Sequence, residues 1–320
     1  MTDIDIVKRG DKTILMNDLI PDMSVILVCW NNINYLEPCL DSLYGSGIHY
    51  RFDVVVVDNG STDGSQDMLQ EKFPQVQIIQ NDHNVGLGKA SNQGIEATSG
   101  RYVLLLNNDT IVNGPSLDNM VEFLDSNPTA GAVGGKLLNP DGSVQSCYNN
   151  FPSLHEEFLI ATRLGQLIWE GYPGKIKGNE VKSVSWMGSA CLMLRRSALD
   201  KVGLLDEEYF IYGDEADLQY RLKKNGWGLY YLPDAITVHY GGKSMNRWGR
   251  RKMVYRGHLL FFKKNYGIFR TWLLRVMLGV LSLGKLIVWS FAYISPSWRD
   301  SAEKELRSNT DVLKLCWNLD

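Results

Sequence analysis

Short apolar runs alternating with helical repeats set the plan of the first half of the chain. Ser24–Trp30 (SVILVCW), Asp53–Val57 (DVVVV), Val76–Gln80 and Tyr102–Leu106 (YVLLL) read as strands, the first two apolar enough to be buried on both faces. Asn34–Leu43, Gly64–Phe73, Leu87–Thr98 and Ser116–Ser126 read as helices, the first with Leu36, Leu40 and Leu43 as its apolar positions. This alternation predicts an α/β domain with an open, mainly parallel sheet covered by helices. In such a sheet the ligand sits at the carboxyl ends of the strands. Past about residue 130 the alternation weakens. Ala132–Leu138, Val184–Leu194 and Trp227–Leu232 remain strand candidates, and Asp214–Asn225 reads as a helix with Leu218 and Leu222 on one face. The Gly/Pro/Asn-rich stretches 139–153 and 171–179 are expected to form loops around a pocket.

Polar and acidic residues gather at the predicted carboxyl edge. Asn31-Asn32 follows the first strand, Asp58-Asn59-Gly60-Ser61-Thr62-Asp63-Gly64 the second, and Asn107-Asn108-Asp109-Thr110 the fourth. No GxGxxG follows the first strand and no GxxxxGK[ST] occurs, so dinucleotide and P-loop readings lose their support. Asp58 can accept a hydrogen bond from a ligand N–H or hydroxyl, against the plainer reading of Asn-Gly turn chemistry with Asp63 as a helix cap. The Asn107–Asp109 triplet can hold a hard divalent cation or form an ordinary Asx turn. Further on, Asp214, Glu215 and Asp217 crowd one helix start, where acids are favoured in any case. Asp217 and Arg221 have the spacing of a structural ion pair. Asp214 and Glu215 point about 100° apart, so one of them is expected to face the pocket as a general base. His239 ends an apolar run after Pro233-Asp234 and is the one histidine in a suggestive context.

Composition narrows the class. Of 320 residues, 44% are hydrophobic and 22% charged, which argues against a disordered or polytopic membrane chain. The net charge of −3 disfavours a dedicated nucleic-acid binder, and no nucleic-acid partner is expected. Five scattered cysteines without CxxC spacing suit reduced thiols. Residues 1–23 lack an apolar signal core. The charge is uneven: residues 1–242 carry a net −13, whereas 243–275 carry ten Lys or Arg and no acid. That basic block is interleaved with Trp248, Tyr255, Phe261, Phe262, Tyr266, Phe269 and Trp272. An apolar stretch interrupted by Arg275 and Lys285 follows, over 271–294. Basic residues beside aromatics and leucines suit helices lying in a membrane interface better than a clean spanning helix. Residues 246–298 are thus expected to meet the inner membrane surface, with an oligomer or domain-packing surface as the plainer alternative.

The order of motifs VDNGSTDGS, NVGLGKASNQG, LLLNND, GSACLMLRRSALDKVGLLDEEYFIYGDEADLQYRL and VHYGG resembles the family 2 glycosyltransferases, and among them the bacterial rhamnosyltransferase-like branch that builds surface glycans. The resemblance covers about residues 22–245. It implies a GT-A fold with a mixed sheet flanked by helices, preceded by a lead-in (1–21) and followed by a helical, membrane-associating extension (246–320). It also implies roles. Asp58 would contact the nucleotide base, with Asp63 supporting its loop, and Asn31, Lys89, Asn92 and Asn108 would belong to the nucleotide-sugar site. Asn107-Asn108-Asp109 stands where the family has its DxD motif, so Asp109, with Asn107 and His239, would hold Mg2+ or Mn2+. Asn107 departs from the strict pattern and removes one negative charge. The family's Glu-Asp pair falls on Asp214-Glu215, in reversed order, with Glu215 as the preferred base and Asp214 its competitor.

The implied reaction is an inverting transfer of a sugar, rhamnose by family likeness. It runs from a nucleotide-diphospho-sugar to a glycan or lipid-linked acceptor at the cytoplasmic face of the membrane. Two competing readings stand beside it: a catalytically inactive binder on the same scaffold, and a sugar-phosphate nucleotidyltransferase.

Overall fold

The computed structural model describes residues 20–168, 179–188, 190–241 and 247–317, and the backbone of 6–9 and 12–15. The segment 171–179, read as a loop, lies almost wholly outside the described residues. At the start of the chain β1 (Ile6–Arg9) and β2 (Lys12–Leu15) form an antiparallel pair.

The alternating plan is realised. Strands β3 (Met23–Cys29), β4 (Phe52–Asp58), β5 (Gln77–Gln80) and β6 (Tyr102–Asn107) are separated by α1 (Ile33–Tyr44), α2 (Ser65–Lys72) and α3 (Leu87–Glu96). They lie side by side in the order β6, β3, β4, β5, all parallel. Val25, Leu27, Val55, Val56, Val57, Val103 and Leu104 have no exposed surface, because both faces of this part are covered. After β6 come β7 (Thr110–Ile111), α4 (Gly114–Ser126) and β8 (Ala130–Leu138), then the short strands β9 (Val144–Gln145) and β10 (Tyr148–Asn149). Next are α5 (Leu154–Thr162) and α6 (Leu164–Ile168).

The second half of the sheet is mixed. The expected strand Val184–Leu194 is two pieces, β12 (Trp186–Met187) and β13 (Cys191–Arg195), with β11 (Lys182–Ser183) just before it. β13 lies antiparallel to both β6 and β8. Helices α7 (Arg196–Val202) and α8 (Asp214–Lys224) precede β14 (Gly228–His239), which runs parallel to β8. The strand expected to stop at Leu232 therefore continues through Pro233. Its register with β8 shifts between Leu232 and Ile236, a bulge that accommodates a residue with no N–H. The extra length pairs β14 with β7 and sets His239 opposite Thr110.

The basic, apolar C-terminal segment forms α9 (Arg247–Ala292), broken at Gly267 (φ 84°), and α10 (Arg299–Trp317), which folds back along it. This hairpin is built into the rest of the protein. Tyr255, Leu259, Phe261, Phe262, Leu274 and Leu278 form an apolar cluster with Ala161 of α5, Ala216 of α8, and Val312 and Cys316 of α10. A Cβ on Gly257 would fall 2.0 Å from the Tyr212 carbonyl oxygen, so α9 touches the loop before α8 backbone to backbone. Part of the basic block faces carboxylates of this chain. Arg251 pairs with Glu305 at 2.7 Å, and Lys264 pairs with Asp206 and Glu208.

Candidate active site

A cavity of about 640 Å³ opens at the carboxyl ends of β3 and β6. Asn107, Asn108, Asp109, Asp214, Glu215 and His239 all line it, so the third, fourth and fifth motifs meet in one place. Trp30, Asn32 and Asn59 line it from the first two strand ends.

The turn after β6 is an interlocked polar network. The Asn108 side chain donates to the Val28 carbonyl at 2.9 Å and accepts from Asn32 Nδ2 at 2.6 Å. It therefore fastens the turn to the end of β3. The Asp109 carbonyl accepts the Tyr240 N–H at 2.9 Å, which joins this turn to the end of β14. His239 Nε2 then lies 3.3 Å from Asp109 Oδ1 and 3.4 Å from the Asn107 amide. His239 Nδ1 is 2.9 Å from Gln145 Oε1, while Gln145 Nε2 bonds the His239 and Asn139 oxygens. Since Oε1 only accepts, Nδ1 carries the proton, and Nε2 is the ring nitrogen turned toward Asp109. An imidazole nitrogen and a carboxylate oxygen facing each other, both electron-pair donors, with an amide beside them, form a donor set that fits a divalent cation. Among the described residues no group of three or more His, Cys, Asp or Glu could hold an ion alone. Donor phosphate oxygens would have to complete the shell.

The other acidic end is built differently. Asp214 opens α8, is 1% exposed, and neither of its carboxylate oxygens has a hydrogen-bond partner. Burial raises its pKa to about 6. The adjacent N–H groups of Asp214 and Glu215 offset this in part, and repulsion from Asp217 adds to it. Such a group at a cavity is a common mark of chemistry. The backbone leading to it is strained: Tyr212 is left-handed at φ 63°, and Gly213 follows at φ 107°. A non-glycine residue held there costs on the order of 1–3 kcal/mol, a cost concentrated at functional sites. Glu215, half-buried, also lines the cavity, whereas Asp217 turns away. Asp217 pairs with Arg221 at 2.8 Å and accepts from Asn265 of α9, the structural role its spacing suggested.

The remaining sequence candidates hold the frame. Asp58 is fully buried, and its carboxylate accepts from the Ser61 N–H and from Gln66 Nε2. Asp63 serves two helix starts. It accepts the Ile33 N–H of α1 at 2.9 Å, and the Ser65 N–H and hydroxyl of α2. Burial works against its charge, but these hydrogen bonds outweigh burial and hold its pKa below the usual value. Asn31, left-handed at φ 50°, accepts from the Thr62 N–H and so joins the first two strand-end loops. Asn92 faces the loop before α8, exchanging hydrogen bonds with the Leu205 backbone in both directions. Lys89 is exposed on α3. None of these five lines the cavity. Sequence reasoning missed Gln145 and placed Asn32 at the sheet edge without a role, because the importance of each comes from the partners the fold gives it.

Comparison with known proteins settles the class. The glycosyl transferase family 2 profile matches residues 24–203. The chain belongs to glycosyl transferase family 2. It is 32% identical over 250 residues to the N-acetylglucosaminyl-diphospho-decaprenol L-rhamnosyltransferase of Mycobacterium tuberculosis, covering 72% of this chain and 79% of that protein. It is 29% identical over 234 residues to the O-antigen biosynthesis protein RfbC of Myxococcus xanthus, covering 70% of this chain and 18% of that one. In fold it is similar to the mannosyltransferase PcManGT of Pyrobaculum calidifontis, solved with GDP-Man and Mn2+. The TM-score is 0.57 at 17% identity, covering 94% of this chain and 88% of that one. The protein is thus a rhamnosyltransferase-like glycosyltransferase on a GT-A-like scaffold.

Proposed function

We propose that this glycosyltransferase inverts the anomeric centre of a nucleotide-diphospho-sugar as it transfers the sugar to a lipid-linked acceptor at the membrane surface. The observation that supports this is the meeting, in one cavity, of Glu215 and Asp214 with the Asp109–His239–Asn107 donor set. Likeness to the mycobacterial relative favours rhamnose as the sugar and a diphospho-linked sugar as acceptor. Glu215 is the general base. It is half-buried at the cavity wall, whereas the oxygens of Asp214 are sealed. Glu215 takes the proton of an acceptor hydroxyl, whose oxygen attacks the anomeric carbon opposite the diphosphate. Asp109, His239 and Asn107 would hold Mg2+ or Mn2+, which when bound supplies positive charge against the departing diphosphate. Gln145 keeps the His239 lone pair turned toward that charge. The Asp58–Gly64 loop, braced by Asp63 and Asn31, takes the nucleoside. Gln66 must share or yield the Asp58 carboxylate when a base arrives.

Among the described residues one helix, Gly249–Ala292, is long and apolar enough to cross a bilayer. We read it as lying on the surface. Its outer face carries Phe269, Trp272, Val280, Leu283, Ile287 and Phe291 at helical spacing, all exposed. Its inner face packs on α10, whose charged Glu303, Lys304 and Arg307 leave no lipid-compatible partner for a span. Leu167 and Ile168 of α6 are exposed too, and Ala161 of the preceding α5 accepts from Lys285 of α9 at 2.7 Å. Lys252, Arg256, Lys263 and Arg270 are exposed on α9, suiting the anionic cytoplasmic leaflet.

The deciding experiment screens dTDP-, UDP- and GDP-sugars with Mn2+ or Mg2+ for nucleoside diphosphate release. Glu215→Gln is expected to lower turnover about 10²- to 10⁴-fold at nearly unchanged donor affinity. Retained turnover in that variant would move the base to Asp214, and no release from any donor would favour an inactive binder. Membrane docking is tested by replacing Phe269, Trp272 and Phe291 with serine, which should abolish sedimentation with anionic vesicles. Truncation at 246 is a poorer test because it strips Phe261 and Phe262 from the core.

A further inference from the structure

Three carboxylates line the cavity, and among the described lining residues there is one Lys or Arg to face them, Arg250 in the first turns of α9. It enters no ion pair with a described carboxylate. Its guanidinium instead lies 5.5 Å from the ring centroid of Tyr212. Stacking of this kind holds the planar group by its face and leaves its N–H edge available for a bidentate oxyanion. Tyr212 is the fixed member of the pair, and Arg250 is exposed at the cavity rim. Tyr212 sits in its left-handed conformation against Gly257, two turns further along the helix that carries Arg250. An exposed arginine at the rim of a cavity lined by acids, yet paired with none of the described ones, is placed to meet the anion of a ligand.

We propose that Arg250 binds the diphosphate of the acceptor. This rests on the transferase reading above and adds to it the residue that selects the acceptor class. Placement decides between the two phosphates a transferase meets. Tyr212 precedes Asp214 by two residues and Glu215 by three, so the guanidinium belongs to the turn that carries the base, not to the Asp109 turn that would face the donor. A sugar carrying a diphosphate on its anomeric oxygen has its phosphorus about one ring-width from the hydroxyl that attacks. An anion-binding group beside the base is where that geometry requires it. A helix outside the matched residues 24–203 thereby reads the part of the acceptor shared by all diphospho-lipid carriers.

The test is equilibrium binding to the full chain, with dTDP and Mn2+ present, of two probes. One is N-acetylglucosamine joined through a diphosphate to a short prenyl chain; the other is octyl β-N-acetylglucosaminide. Arg250→Ala should weaken the diphosphate probe tenfold or more and the neutral probe less than twofold. Arg250→Lys, which keeps the charge but loses the fork, should fall between. Equal losses on both probes, no loss on either, or a loss of dTDP affinity instead would each overturn the assignment. An unchanged melting temperature for Arg250→Ala excludes a folding defect. Turnover measured in parallel separates the two readings. Arg250-dependent binding without turnover by the native protein would sink the transferase mechanism and leave this inference standing; turnover with unaltered probe binding in the variant would do the reverse.

Discussion

The two acidic ends of the cavity solve opposite problems. At Asp109 the surroundings are polar and mutually bonded. Asn108 is tied to β3, the Asp109 carbonyl to β14, and His239 to Gln145. Such a turn keeps a donor set in place before any ligand arrives, which limits reorganisation when charge develops there. At Asp214 the surroundings are apolar. Ala216, two residues along α8, lies in the cluster with Tyr255, Phe261 and Phe262, and the carboxylate makes no full hydrogen bond, with only the adjacent N–H groups of Asp214 and Glu215 to favour its charge. Even the helix N-terminus, which favours negative charge, does not compensate for that burial. One end is arranged to hold charge and the other to make charge costly. In the proposed transfer this division would let one end stabilise a leaving diphosphate while the other, through Glu215, moves a proton.

The comparison breaks first at Asp109. Asp109→Ala should lower kcat/KM on the order of 10²- to 10⁴-fold, as loss of a cation's share of transition-state stabilisation would. It should also abolish the rise in melting temperature produced by Mn2+ with a nucleoside diphosphate. A variant that keeps both would show that this end does not hold the cation. Asp214 gives the next largest effect, read in stability. Its folded pKa of about 6 lies above the usual value, so its contribution is fully present below about pH 4 and is lost as pH rises through 6. The loss amounts to about 2–3 kcal/mol, since each tenfold change in a proton equilibrium is worth about 1.4 kcal/mol. Urea unfolding of Asp214→Asn beside the native protein should show the gap moving in favour of the variant by about that amount between pH 4 and pH 7.5. A gap that does not change with pH would mean that Asp214 ionises freely.

The parallel half of the sheet was legible because each strand and helix there answers to its own residues, and the family motifs supplied the order. What the sequence hid was the second use of each residue. Asp63, read as a cap for the helix that follows it, also caps α1, thirty residues earlier. Asn92 fits a nucleotide-site motif, yet it holds the loop before α8. Pro233 reads as the end of a strand, whereas a bulge carries β14 on to His239. The basic block reads as a membrane-facing surface, but Arg251 and Lys264 join α9 to acids of its own chain. In each case a contact between distant segments overrides a local preference, and no window of sequence contains it.

Gln145 shows how small an effect can still separate the two ends. Its Oε1 fixes the proton on His239 Nδ1, and its Nε2 bonds the His239 and Asn139 oxygens. Gln145→Leu keeps the approximate volume and removes all three bonds, so the imidazole can take either tautomer and turn away from Asp109. Loss of such an outer partner weakens cation affinity about 10- to 100-fold. A Mn2+ titration with saturating nucleoside diphosphate should therefore show a right-shifted midpoint with little change in the rate at saturating metal. The Asp214 end should not register the substitution: the pH dependence of stability should keep its native form. If that profile shifted along with the Mn2+ midpoint, the two ends would be coupled through the cavity rather than built independently, and the contrast between them would have to be redrawn.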